Sequence, residues 1–174
     1  MNVLFLTTVL PLRTSSGGEI VSDMLIKKLV SNGMGVDVVG YISPSDSMRQ
    51  CPINYTSVET RIIETQGEKP QALLWMASAF VSGTGFSAKK YESKKYISIV
   101  NDKLRTKKYD YIVVDHTQML WILPLLPKSI MKIFISHNVE SNLYELLAQD
   151  SKSYLKKNIL KRESNKMVVL EKEL

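Results

Sequence analysis

The amino-acid sequence predicts an α/β fold, a doubly wound parallel sheet with helices on both faces. Three observations carry that prediction. Apolar runs without alternation recur along the chain, helix-spaced stretches separate them, and each run ends in small or polar residues. Runs of this kind mark strands buried on both faces, because helices cover either side of a parallel sheet. The 174 residues, 44% of them hydrophobic, suffice for one domain with a sizeable core.

Element by element, NVLFLTT at 2–8 is a central strand. After the loop RTSSGG, the residues Ile20, Val21, Met24, Leu25, Leu29 and Val30 recur at three- and four-residue spacing. They predict a helix over 19–32, stopped by Gly33. VDVVGY at 36–41 is the second strand and completes a β-α-β unit. Residues 43–69 hold turn formers around a strand-like SVETRIIET, and Pro70 is placed to open a helix at 71–82 that is apolar on nearly every side. A second helix is expected from Ser87 to Thr106, with Ile97, Val100 and Leu104 inward. YDYIVVDH at 109–116 and MKIFISHN at 131–138 are two more strands, both ending in histidine. Residues 139–157 predict a helix with Val139, Leu143, Leu146, Leu147 and Tyr154 on one side, and the closing KRESNKMVVLEKEL is read as helix. No repeat, low-complexity tract or linker divides the chain.

Composition excludes several classes. One cysteine, Cys51, leaves no intramolecular disulfide, and no Cys/His cluster has structural-zinc spacing. The default compartment is therefore a reducing cytosol. The N-terminus lacks the basic region of a secretion signal. The longest apolar stretch, ALLWMASAFV at 72–81, is ten residues, about half of what a membrane span needs. A net charge of +6 and a pI near 9.3 suit an acidic partner, but the charges are scattered as on a solvated face. The run KKYESKKY, with Lys89, Lys90, Lys94 and Lys95 around Tyr91, fits either a wet helix face or peripheral contact with anionic lipid. No nucleic-acid partner is expected.

In doubly wound sheets ligands bind beyond the carboxyl ends of the strands, and that rule sorts the polar residues. The Gly-rich loop, Asp115-His116 and His137-Asn138 each follow a strand, so all three are expected along one edge. Gly17 and Gly18 open a helix whose free N–H groups and positive end suit a phosphate, and the loop before them is longer than a connection requires. The bland alternative is an ordinary N-terminal cap, with Ser15 or Ser16 capping and Glu19 in the first turn. A dinucleotide fingerprint, a P-loop and paired carboxylates after the first strand are all missing; Thr7-Thr8 stands at the last of these positions. His116 and His137 are the only histidines, and both fall at strand ends. Asn138 is suited to cap the next helix, with Glu140 in its first turn.

Taken in order, VLFLTTVLP with GGE, LVSNGMGVDVVGY, YDYIVVDH and IFISHNVE resemble the N-terminal, acceptor-side domain of glycosyltransferases of the GT-B fold, closest to family 4 (group 1). The likeness spans nearly the whole chain. It implies a Rossmann-like domain, one of two facing across a cleft, in an enzyme that transfers a sugar from a nucleotide sugar to an acceptor hydroxyl with retention. The implied partners are a UDP- or GDP-linked sugar and a saccharide or lipid-linked acceptor, with no metal or other cofactor. By the same likeness, Gly17 and Gly18 approach the donor diphosphate, His116 lies near the transferred sugar as the catalytic residue, and His137, Asn138 and Glu140 contribute to the acceptor or sugar site. The resemblance further implies a cytoplasmic location, with peripheral contact at the inner face of the membrane as an option. In such enzymes a second domain holds most of the nucleotide sugar, through an acidic Glu-x7-Glu signature following an Arg/Lys pair. The 174 residues hold no such domain, so residues 1–174 are read as a single N-terminal domain, incomplete at its C-terminus and inactive alone. The residues also fit a rival from another class, a free-standing Rossmann-like module that binds a phosphorylated ligand or a partner protein without chemistry.

Overall fold

The structure is a computed structural model and describes residues 1–13, 16–46, 49–61 and 85–172. Five strands form one sheet in the order β3-β2-β1-β4-β5, all neighbours parallel. The strands are β1 (Asn2–Val9), β2 (Gly35–Ile42), β3 (Tyr55–Thr60), β4 (Tyr111–Asp115) and β5 (Met131–Ile135). This is a Rossmann-like arrangement, in which the chain runs outward from β1 to one edge and then returns to the other side.

The uninterrupted apolar runs follow from burial on two faces. On one, Leu4, Leu6, Val39, Tyr41, Ile112 and Val114 pack against Tyr96 and Val100 of a helix and against Met119 and Ile122. On the other, Val3, Phe5, Val36, Val38 and Val113 pack against Ile26 of α1 (Gly17–Ser31). Successive residues of the inner strands β1, β2 and β4 therefore serve opposite cores, whereas the edge strand β5 leaves Met131 and Ile133 exposed.

The helix α1 is capped by Ser16, whose side chain accepts the Glu19 amide at 3.2 Å. Gly33, at φ 79°, takes the left-handed conformation that lets the chain leave the helix for β2. The helix expected over Ser87–Thr106 divides into α2 (Phe86–Lys89) and α3 (Lys94–Thr106). Ser93 is the reason: its hydroxyl accepts the Lys95 and Tyr96 amides at 3.1 and 3.3 Å and starts a new helix. Val100 is buried and Leu104 packs against the core as expected, but Tyr96 rather than Ile97 is the fully buried residue of that helix. Tyr91 and Tyr96 lie in the core, so the tyrosines of KKYESKKY offer no amphipathic face to a membrane. The Tyr96 hydroxyl is shared between the Thr7 and Val39 carbonyls at 3.0 and 2.8 Å, which ties α3 to the end of β1.

The helix expected over 139–157 is also two, α4 (Glu140–Gln149) and α5 (Tyr154–Lys172). Its expected inner side is the outer one: Val139, Leu143, Leu146, Leu147 and Tyr154 are 41–82% exposed. The two helices pack instead through small and polar residues. Ser141 and Ala148 are buried, the Ser141 hydroxyl donates to Glu171 at 2.6 Å, and the Ser164 hydroxyl donates to the Ser141 carbonyl at 2.9 Å. Hydrogen bonding between close backbones outweighs the apolar stripe here.

The first helical turn after β4 is part of a 3-10 segment, Thr117–Leu125, which carries Met119 and Ile122 into the core. The expected apolar helix at 71–82 and the end of SVETRIIET lie outside the described residues. Among the described residues no helix is long and apolar enough to cross a membrane.

Candidate functional site

The order of the strands reverses between β1 and β4, the place where ligands of such sheets bind beyond the carboxyl ends. The residues at that point come from four elements. Thr7 lies near the end of β1, Ser22 is buried on α1, Asp115 ends β4, and His137 follows β5.

Asp115 is the hub. Its carboxylate is fully buried and accepts hydrogen bonds from three elements: the Thr7 hydroxyl at 2.8 Å and the Ser22 hydroxyl at 2.7 Å, both to Oδ2, and His137 Nε2 at 2.6 Å to Oδ1. The Ser22 proton is shared with the Gly18 carbonyl at 2.9 Å. His116 Nε2 stands 3.5 Å from Oδ2 of the same carboxylate. Among the described residues no lysine or arginine pairs with Asp115, and the two imidazoles are ionisable neighbours of it.

His116 and His137 stack on one another with ring centroids 4.1 Å apart and planes 30° from parallel. Burial, and then the neighbouring His137, hold the His116 imidazole below its ordinary 6.5, against the opposing pull of Asp115 and Glu19. A neutral imidazole at neutral pH keeps a lone pair for a ligand or a proton. The His116 backbone lies at φ 76° and ψ 139°, and it is the only non-glycine residue with positive φ among the described residues. That conformation costs about 1–3 kcal/mol and persists because its amide bonds the Ile135 carbonyl at 3.0 Å while its carbonyl accepts the Met119 amide at 2.9 Å.

Gly17 and Gly18 complete the rim. They are the first two residues of α1, with Gly17 exposed and Gly18 half-buried. A Cβ on Gly18 would lie 2.8 Å from His116 Cε1, whereas one on Gly17 would meet nothing within 4 Å. The glycine pair, His116 and His137 thus share one edge. Asn138 is exposed beside them, but it does not cap α4: the cap position is Val139, with no side-chain hydrogen bond. Glu140 is 8% exposed and points into the protein. Burial raises its carboxyl above the ordinary 4.5, hydrogen bonds from Gln118 and Asn138 and the charge of Lys90 lower it, and the charge of Glu171 raises it further.

Sequence reasoning placed Asp115 at this edge only as the neighbour of His116 and gave no part to Ser22. Ser22 lies one helical turn after Gly18, a spacing that put it on the same face. Thr7 drew notice only for what it was not. A separate cavity of about 470 Å³, lined among others by Ala88, Ile97, Trp121, Leu125, Val169 and Leu170, shares none of these residues. No protein-family model matches the chain, and no curated protein matches it.

Proposed function

We propose that this chain is the acceptor-side domain of a retaining glycosyltransferase that moves a sugar from a nucleotide sugar to an acceptor hydroxyl. The observation that supports this reading most is the meeting of Gly18 with His116. A helix start with free N–H groups and a positive end suits the developing charge on a leaving diphosphate. An imidazole beside it, held neutral by burial, suits the hydroxyl of a sugar or acceptor. His137 and the buried Asp115 fix the ring that does this work, and the exposed Asn138 adjoins His137 in the chain.

On this reading the amides of Gly17 and Gly18 stabilise the departing phosphate electrostatically, and His116 positions the reacting sugar. Glu140 acts on the rim through its hydrogen bond to Asn138 and supports the loop from beneath. The test is transfer of radiolabelled hexose from UDP- and GDP-sugars to saccharide and lipid-linked acceptors by the protein encoded in the complete reading frame. Transfer is expected, reduced at least tenfold in both His116→Ala and Gly18→Val. No transfer with either nucleotide class, or full turnover in both variants, overturns the proposal.

A further inference from the structure

A fully buried carboxylate is costly unless a positive charge or a dense set of donors compensates it. Around Asp115 stand two hydroxyl donors and the ring nitrogens of two histidines, with no lysine or arginine in contact among the described residues. One nitrogen from each ring and a carboxylate oxygen all lie within 4.8 Å of one another. From this arrangement we infer a binding site for one divalent transition-metal ion of the zinc class, held by Asp115, His116 and His137.

The donor set is the first reason. Two imidazoles and one carboxylate match the borderline softness of zinc or cobalt, and three protein ligands leave at least one coordination position open. Hard cations such as magnesium prefer all-oxygen shells and are disfavoured here. Spacing is the second reason. Neighbouring ligand atoms around a tetrahedral zinc stand about 3.3 Å apart, as bonds of about 2.0–2.2 Å require. Oδ1 of Asp115 is 2.6 Å from His137 Nε2, Oδ2 is 3.5 Å from His116 Nε2, and one ligand atom from each of the three residues lies within 4.8 Å of the others. Loss of the Nε2 proton from His137 and a contraction of the cluster would admit the ion.

The third reason is the shell around the ligands. Thr7 and Ser22 both donate to Oδ2, which orients the carboxylate and leaves Oδ1 directed at His137. The ligands come from the end of β4 and from the segments after β4 and β5, so the ion would clamp the ends of these two neighbouring strands. The family likeness brings no metal with it, and the inference rests on the cluster alone. A bound ion would occupy the imidazole that the transferase reading assigns to the sugar, so it would regulate such a reaction and not assist it.

The experiment is calorimetric titration of Zn²⁺ into the tag-free 174-residue chain, in a buffer that does not chelate. One ion per chain is expected, weakened at least tenfold in His137→Gln and in Ser22→Ala, and unchanged in Cys51→Ser. Absence of saturable binding, an affinity indifferent to His137→Gln in a folded variant, or loss of binding in Cys51→Ser overturns the site. If His137→Gln does not fold, Co²⁺ added to the unmodified chain decides the matter: hyperfine-shifted resonances from both imidazoles are expected, and their absence is the contrary result. None of these measurements involves sugar transfer, so the fate of the site and the fate of the transferase proposal are read separately.

Discussion

Two adjacent glycines in the first turn of one helix are expected to respond to alanine with opposite signs. In Gly18→Ala the new methyl would stand 2.8 Å from His116 Cε1, against an ordinary carbon–carbon contact of about 3.5–4.0 Å, so the ring must retreat by about 0.7 Å or more. It has little room, because His137 is stacked on it at 4.1 Å and its Nε2 is 3.5 Å from Asp115. Overpacking of this kind costs about 1–3 kcal/mol, offset by about 0.5–1 kcal/mol from replacing a helical glycine. The net is a loss of up to about 2.5 kcal/mol. Gly17→Ala meets nothing within 4 Å and keeps only the gain, so it should stabilise by about 0.5–1 kcal/mol. At about 2–4 °C per kcal/mol for a chain of this size, the two variants should melt several degrees apart. Thermal unfolding by circular dichroism reads the difference, and imidazole nitrogen spectra should move in Gly18→Ala and stay in place in Gly17→Ala. Equal melting points, with unmoved imidazole signals in both, would show that His116 does not lie against α1.

Three further outcomes follow from the same contacts. His116→Gly should be more stable than His116→Ala by about 1 kcal/mol or more in urea unfolding, since glycine relieves the backbone strain at φ 76°; the reverse order, usual outside the left-handed region, would remove the strain. Glu163→Gln should cost about 1–3 kcal/mol, because Glu163 accepts the Phe86 and Ser87 amides at 2.8 and 2.7 Å and the Ser87 hydroxyl at 2.6 Å, serving as the cap that Gly85 lacks; amide exchange at Phe86 and Ser87 should rise, and unaltered exchange would contradict it. Glu140 titrates above its ordinary 4.5, chiefly through burial, so the folded chain keeps a proton that the unfolded chain releases; its contribution to stability falls as pH rises through 4.5 up to its folded value. Glu140→Gln should therefore gain on the unmodified chain as pH rises above 4.5 in urea unfolding, and a difference that ignores pH would refute that assignment.

Much of this molecule was legible along the chain. NVLFLTT, VDVVGY and YDYIVVDH form the inner strands because a run with no polar alternation has one stable place, between two helical layers, and MKIFISHN forms the edge strand β5, whose residues are half-buried or exposed. Once the strands are parallel their carboxyl ends lie on one edge, so the gathering of Gly17, Gly18, His116 and His137 followed from the order of elements. Local spacing served less well where a hydrogen bond competed with it. Ser93 divided a helix by capping, and Ser141 with Ser164 turned the apolar stripe of α4 outward.

What the sequence alone determined is the layered architecture and the edge at which polar residues assemble, since both depend on hydrophobic period and chain direction. Tertiary structure decided the rest. Asp115 and Ser22 are 93 residues apart, and Asp115 and Thr7 are 108 apart, so no local pattern joins them. Only the parallel pairing of β1 with β4, and the packing of α1 across their ends, buries that carboxylate among two hydroxyls and two stacked imidazoles. The free energy of a buried charge depends on which donors surround it, and that is a property of the folded neighbourhood.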